Sequence, residues 1–439
     1  MTLTDLGTPA VRAPRLDGLP VAIIGAGPIG LAAAAQLAER DLDFVVFESG
    51  SSAAASVETW GHTRLFSPWS LLVDPAARRM LQSKGAWTAP DGDVLPTGAD
   101  LIRGYLAPLS ELPELRDRIR YRTRVVAVSR EGMDRTRSTG RDDAPFVLRI
   151  ERDGAITEVT ARAVIDASGT YAHPNRLGSN GLDPLGWHEV KDRVTHALPD
   201  VLGRDRGRFA RRRTLVVGAG HSAANTLIAL SRLASSEPGT SITWAIRNAS
   251  AVRVSGSDDD QLRARATLGS AVDALVDSGV IEKVDRFEID SLHRDGEELV
   301  VSGRRGGERA EIRADVVVNA TGFRPDLEML REIRLSLDEV VEAPKLLAPL
   351  IDPNIHSCGT VEPHGFLELQ HPEPNFFIAG MKSYGRAPTF LLATGYEQVR
   401  SITAWLAGDV SSARKVELVL PSTGVCSTDI SPGGSCCAS

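Results

Sequence analysis

Twice in 439 residues an apolar run ends in a glycine-rich turn that opens into a stretch rich in alanine and other helix formers. The two copies are Val-Ala-Ile-Ile-Gly-Ala-Gly-Pro-Ile-Gly at 21–30 and Leu-Val-Val-Gly-Ala-Gly-His-Ser-Ala at 215–223. Each run reads as a buried parallel strand and each following stretch as a helix, the strand–turn–helix unit of a dinucleotide site. Gly25 and Gly218 allow the tight turn, Gly27 and Gly220 let the backbone approach a pyrophosphate, and Gly30 and Ala223 permit close packing of helix on strand. Pro28 and Ile29 in one copy, and His221 and Ser222 in the other, fall in the first helical turn. There the helix dipole and unpaired N–H groups favour negative charge. Two such units imply two nucleotides.

The strand after each unit makes the two unequal. Past the first copy, Phe-Val-Val-Phe at 44–47 ends in Glu48 and Ser49. A carboxylate about 20 residues past the fingerprint accepts from a ribose 2′-OH. After the second copy, Ser-Ile-Thr-Trp-Ala-Ile at 241–246 ends in Arg247, a cation suited to a 2′-phosphate, which favours NADPH over NADH. A plain surface cation at a strand end is the alternative.

The chain is long enough for two or three domains with sizeable cores. It has no apolar run long enough to span a bilayer, and residues 1–18 carry charges of both signs without an apolar core, so a disordered lead-in is expected and not a signal peptide. A net charge of −7 disfavours nucleic-acid and anionic-membrane partners. The local exception, the arginine-rich stretch 204–213 before the second fingerprint, reads as a solvated positive loop. Cys358, Cys426, Cys436 and Cys437 form no disulfide framework and no C-x-x-C motif, and reduced thiols in the cytoplasm are expected. No metal site is expected.

Between the fingerprints, after the Glu48 strand, lies an aromatic loop, Trp-Gly-His-Thr-Arg-Leu-Phe-Ser-Pro-Trp at 60–69. Trp60, Arg64 and Leu65 are candidates to face cofactor or substrate, with ordinary core packing and a surface charge as the alternative. Residues 121–128 alternate and then run apolar, which suits a strand whose Val125 and Val126 backbone meets an adenine edge. Two apolar strands end in small residues, Ala167, Ser168 and Gly169 in one and Ala320, Thr321 and Gly322 in the other. They read as the points where the chain leaves and re-enters a first domain. Residues after Pro325 look charged and helical. Gly380 closes a further strand, and a helix is predicted over 391–406, with Ala393, Gly395 and Tyr396 near an N-terminus whose amides could be presented to a cofactor such as a flavin. His221 is a candidate near the nicotinamide or a loop filler; His364 and His371 are loop candidates, and Cys358 reads as a small core residue.

Taken in this order, the motifs over 19–406 resemble the flavoproteins with two dinucleotide-binding domains. The resemblance implies an α/β fold with two Rossmann-like domains, the NADPH domain inserted in a discontinuous FAD domain. The expected boundaries are 19–200 and 326–410 for FAD, 201–325 for NADPH, and a flexible cysteine-bearing tail over 411–439. By position, Gly25, Gly27, Gly30, Glu48, Val125, Val126, Ser168, Gly169 and Gly380 would serve FAD; Gly218, Gly220, Ser222, Ala223, Arg247, Thr321 and Gly322 would serve NADPH.

Thioredoxin-reductase-like members need a C-x-x-C pair, which this sequence lacks. Flavin-containing monooxygenases look closer through Trp60 and Asn-Ala-Thr-Gly-Phe-Arg at 319–324, although their Phe-Gly-His-aromatic signature is not legible between Trp187 and Arg213. The aromatic loop and the tail cysteines look like the flavin monooxygenases encoded with bacterial arsenic-resistance genes. Three thiols, Cys426, Cys436 and Cys437, are soft ligands suited to a trivalent arsenical, with a plain reduced tail as the alternative.

The resemblance then implies hydride transfer from NADPH to FAD, reaction with O2 at flavin C4a, and attack on that hydroperoxide by a small soft nucleophile. Two rival readings stay open, a flavin reductase that does not oxygenate and a metalloid-binding protein using the tail thiols. Expected partners are a small-molecule substrate and O2, with a homodimer left open.

Overall fold

The computed structural model describes residues 14–85, 87–249, 263–352, 363–388 and 390–418. They form two compact units, the first from residues up to 172 and again from 325, the second from 173 to 324.

In the first unit the strands are β1 (Val21–Ile24), β2 (Phe44–Phe47), β3 (Ile119–Arg120), β4 (Arg124–Arg130), β5 (Phe146–Arg152), β6 (Ala155–Ala161) and β7 (Ala163–Asp166). The second contributes β8 (Val194–His196), β9 (Arg213–Val217), β10 (Ser241–Ala245), β11 (Glu282–Val284), β12 (Phe287–Asp295), β13 (Glu298–Arg305), β14 (Glu308–Ala314) and β15 (Val316–Asn319). Then β16 (Phe376–Ile378) completes the first.

Both units follow one plan. A parallel sheet ordered β16-β7-β1-β2-β3 in the first matches β8-β15-β9-β10-β11 in the second, and each carries a three-stranded antiparallel meander, β4-β5-β6 or β12-β13-β14. In each sheet the fingerprint strand is central, with β1 between β2 and β7 and β9 between β10 and β15. Strands β1, β2, β7, β15 and β16 are buried along their whole length, as a parallel sheet covered on both faces requires.

The helix Pro28–Glu39 buries an unbroken row from Ile29 to Leu37, and its small side chains let a second buried helix, Leu392–Leu406, lie close against it. A Cβ at Gly395 would sit 2.4 Å from Ile29 Cδ1, so a larger residue there would force the Ile29 side chain to shift.

Several boundaries differ from expectation. The second unit starts at 173, not 201, because β8 pairs in parallel with β15 and so belongs to the inserted sheet. Part of the expected disordered lead-in is ordered: Pro14–Leu16 forms a turn, Leu16 is buried and Arg15 pairs with Glu131. Part of the expected flexible tail is also held. The helix Val410–Arg414 buries Ala413, whose carbonyl accepts from Ser401 Oγ. The predicted strand over 121–128 begins at Arg124, after a turn in which Arg122 has a φ of 52°. Between Pro325 and Asp352 the described residues form only the short elements Glu328–Leu330 and Ala348–Ile351, where Leu330 and Ile333 join the core that also takes Val125 and Phe146.

A buried charge cluster closes the discontinuous first unit. Glu373, just ahead of β16, accepts from Arg130 Nε at 2.8 Å and from Arg141 Nη2 at 2.8 Å, and all three side chains are at most 1% exposed. The remaining guanidinium donors reach the carbonyls of Ala144, Pro374, Asp134 and Glu332, and Arg130 stacks over Phe146. Glu373→Gln would leave two buried cations without their anion. We expect a loss of about 3–5 kcal/mol, read from the denaturant midpoint; a loss near zero would mean the cluster does not hold the segments together.

Candidate functional site

At the first fingerprint, β1 ends at Ile24 and the chain turns through Gly25, whose φ of 97° is open to glycine and strained for other residues. Gly25 N donates to Phe47 O and Ala167 N to Ile24 O, so the turn is tied to both neighbouring strands. A Cβ at Gly25 would lie 2.8 Å from Ala167 O, and one at Gly30 would lie 1.9 Å from Gly25 O. Gly27 is different. Nothing comes within 4 Å of a Cβ there, on the side where the helix Pro28–Glu39 begins. Its first turn has no side-chain cap, so its amides are available to an anion.

Glu48 is buried at the end of β2, its Oε2 accepting from Ala26 N at 2.8 Å and its Oε1 from Gly50 N at 2.7 Å. The carboxylate therefore fixes the fingerprint turn as well as standing where a ribose is expected. Each oxygen keeps a further lone pair for a hydroxyl donor. Ser49 beside it is exposed.

The second fingerprint repeats this construction. Gly218 has a φ of 135°, and a Cβ there would lie 2.1 Å from Ala320 O. Gly218 N donates to Ala245 O, Ala320 N to Val217 O, and Trp244 Nε1 holds Gly218 O at 2.7 Å. The space beside Gly220 is open, as at Gly27, and the helix His221–Ser236 starts there without a side-chain cap. Ser222 lies in its first turn and Ala223 is fully buried against the sheet. Arg247 is exposed just past β10, with Nη1 donating to Ser179 O at 3.2 Å. Both cradles fit a dinucleotide: each has open space where a Cβ would stand and a bare helix N-terminus beside it.

The strand ends that cross the two glycines match as well. Asp166 Oδ1 accepts from Ser168 N at 3.1 Å and Ser168 Oγ at 2.6 Å; Asn319 Oδ1 accepts from Thr321 N at 3.3 Å and Thr321 Oγ1 at 2.7 Å. In the first unit the other carboxylate oxygen pairs with Lys382 Nζ at 2.6 Å, whereas Asn319 Nδ2 donates to Asn175 O at 2.9 Å. Gly169 and Gly322 follow with φ of 71° and 100°.

Other predicted residues are placed less directly. Ile29 is a packing residue whose side chain fills the space left by Gly380 and Gly395. Gly380 gives its N–H to Gln398 Oε1 at 2.8 Å, so that amide is committed within the protein. Val126 stands at a β-bulge between Val125 and Ala127, out of register with β5. In the aromatic loop Trp69 is core, Trp60 is half-buried and packs against Gly98, and Leu65 N donates to Pro96 O. Arg64 is exposed and its Nη1 holds Leu95 O, which gives the cation a structural role. The arginine stretch over 204–213 is tied down, Arg206 and Arg211 to Glu237 and Arg213 to Asp315.

His221 opens its helix. His364 is buried and Gln398 Nε2 approaches its Nε2 at 2.9 Å. Because the Gly380 N–H requires the amide oxygen of Gln398 on its side, Gln398 Nε2 is the donor and the His364 ring accepts. Burial pushes the His371 imidazole down to about 4, with Ser336 N donating to its Nδ1. It is therefore neutral near pH 7. Cys358, Cys426, Cys436 and Cys437 lie outside the described residues.

Sequence reasoning missed Asp166, Lys382, Trp244 and Gln398. Asp166 carried a legible signal, since a carboxylate in an otherwise apolar parallel strand needs a buried partner. Lys382 is distant in sequence and carried none.

A family model for pyridine nucleotide-disulphide oxidoreductases matches residues 19–371. No curated protein sequence matches the chain. Among solved structures it is similar to a bacillithiol disulfide reductase from Bacillus cereus, with 20% identity, a TM-score of 0.66, and 89% of this chain and 99% of that one covered. A cadaverine monooxygenase of desferrioxamine biosynthesis from Erwinia amylovora gives 14%, 0.63, 92% and 98% on the same measures. A flavin monooxygenase from Stenotrophomonas maltophilia gives 21%, 0.57, 89% and 98%.

The glycine contacts separate folding from binding. Gly30→Ala, which meets a carbonyl at 1.9 Å, is expected to cost about 1–3 kcal/mol of stability. Gly27→Ala meets nothing and should leave the melting temperature unchanged while weakening nucleotide binding about tenfold or more, measured by titration of apoprotein. Equal effects of the two variants on stability would refute this division.

Proposed function

The chain belongs to the pyridine nucleotide-disulphide oxidoreductase family, and on that premise we propose that it is an NADPH-dependent monooxygenase acting on a small soft nucleophile. FAD and NAD(P)H are its cofactors. Bound FAD supplies two-electron chemistry between the nicotinamide and an acceptor. In our reading the first fingerprint holds FAD, with Gly27 admitting the pyrophosphate and Glu48 accepting from the adenosine ribose. The second holds NADPH, with Gly220 at the pyrophosphate and Arg247 at the 2′-phosphate.

The observation that carries the oxygenase reading is the spacing of the cysteines. With no C-x-x-C in the sequence, no adjacent dithiol of that kind stands ready to relay electrons from the flavin. Oxygen as acceptor balances as NADPH, a proton, O2 and substrate giving NADP+, water and a substrate bearing one oxygen atom. A trivalent arsenical is the first substrate to test, because it is a soft nucleophile and the three tail thiols are soft ligands for it. The likeness to a bacillithiol disulfide reductase favours a second reading, a reductase that passes both electrons to a disulfide without oxygenation.

The deciding experiment supplies 18O2, NADPH and, in turn, a trivalent arsenical, a thioether and a primary amine. We expect one 18O atom in the product of one class and NADPH use that depends on O2. Turnover of a disulfide under nitrogen with no label incorporated would establish the reductase instead. For the cofactor, Arg247→Ala should weaken NADP+ binding about tenfold or more and NAD+ little, because a hydrogen bond to a charged partner contributes about 1.5–3 kcal/mol. Equal losses would remove Arg247 from the 2′-phosphate.

A further inference from the structure

We propose that Lys382 is a positioning residue of the flavin site, acting through Asp166 and Ser168 to set the strand end over which the flavin half of FAD lies. The inference rests on the assignment of FAD to the first fingerprint. Lys382 sits on the turn Gly380–Tyr384 directly after β16, and its side chain and that of Asp166 are both 0% exposed. Its ammonium donates to Asp166 Oδ2 at 2.6 Å and to Ser168 Oγ at 3.1 Å.

A buried ion pair is costly to desolvate, so its presence calls for a reason beyond stability. The second unit supplies the control. Asn319 occupies the place in β15 that Asp166 occupies in β7, each being the strand's last residue and paired across to the fingerprint strand. It makes the same two bonds to the residue two positions on, and its other half is satisfied by the neutral carbonyl of Asn175. The crossing of a strand end over a fingerprint glycine therefore forms without any charge. The ion pair is particular to the unit assigned to FAD.

The hydrogen-bond directions say what the pair does there. Ser168 Oγ gives its proton to Asp166 Oδ1 and receives one from Lys382, so its remaining capacity is a single lone pair. A hydroxyl held in this way can only accept. It stands beside Gly169, where no atom comes within 4 Å of a Cβ position. In this sheet β2, with Glu48, lies on one side of β1 and β7 lies on the other. A dinucleotide across the ends of such strands puts its adenosine on the β2 side, which leaves the flavin and its polyhydroxyl chain on the β7 side. Ser168 is thus presented as an acceptor to a hydroxyl-rich ligand, with two of the three Lys382 ammonium donors engaged by Asp166 and Ser168.

The test uses full-length apoprotein of wild type, Lys382→Met and Lys382→Met/Asp166→Asn, the last removing both buried charges together. Melting temperature without FAD and the FAD dissociation constant from flavin fluorescence are measured for each. We expect Lys382→Met to lower the melting temperature and to weaken FAD about tenfold. The double variant, which leaves no buried charge unpaired, should melt above Lys382→Met while FAD stays about tenfold weaker. Wild-type FAD affinity in the double variant would overturn the proposal, as would failure of both variants to fold, since the pair would then be structural. Gly27→Ala serves as the reference: if it too leaves FAD affinity unchanged, the assignment of FAD to the first fingerprint is what fails.

Discussion

Both nucleotide cradles depend on one steric fact, a glycine pressed against the carbonyl at the end of the neighbouring strand. A side chain at Gly25 would meet Ala167 O, and one at Gly218 would meet Ala320 O. Because the approach is that close, the fingerprint strand and its neighbour can exchange hydrogen bonds right up to the turn, Ala167 N to Ile24 O and Ala320 N to Val217 O. The turn is then fixed in position, and the helix that leaves it starts with its amides facing open space beside Gly27 and Gly220. An anion site made of backbone needs this rigidity, since amides that move lose much of their value to a bound phosphate.

The two units are variations on one plan, and the variations are informative. The fifth strand of the second sheet, β8, precedes the fingerprint, whereas that of the first, β16, arrives from the far end of the chain. A unit assembled from distant segments must offset a larger loop-closure entropy. Buried ionic contacts join those segments, Glu373 with Arg130 and Arg141, and Lys382 with Asp166. The second unit, continuous over 173–324, has uncharged amides where the first has an ion pair.

How much of the molecule was legible in the sequence depends on how local each signal is. Fingerprint glycines, the apolar strands 21–24, 44–47 and 316–319, and the helix 392–406 are set by short patterns, and the structure has them within a residue or two. The boundary at 173 was missed because β8 has only three half-polar residues, Val194–His196, whose membership of the sheet is decided by pairing with β15. The aromatic loop was ambiguous because an aromatic side chain fills a core as readily as it lines a site; Gly98 against Trp60 and Gly104 against Trp69 are contacts no spacing rule predicts. Buried pairs separated by more than two hundred residues, such as Asp166 with Lys382, are invisible until the chain has closed on itself.

The same contacts decide which groups answer to pH. Burial pushes Asp74 up to about 6, partly offset by Ala77 N and Gln36 at its carboxylate; it caps the helix Pro75–Ser83 beneath Tyr105. His371 is pushed the other way, down to about 4. The signs are opposite. As pH falls from the unfolded histidine value near 6.5 through 4, the unfolded chain takes up a proton that folded His371 refuses, and stability is lost. As pH falls from about 6 toward 3.8, folded Asp74 takes up a proton the unfolded chain does not, and stability is gained. Over their common window the two slopes oppose each other, so these two buried groups together leave the fold less sensitive to mild acid than either alone. Both are packing residues remote in role from the glycine turns. Near neutrality, then, both turns rest on backbone amides, and the first also on a buried ion pair.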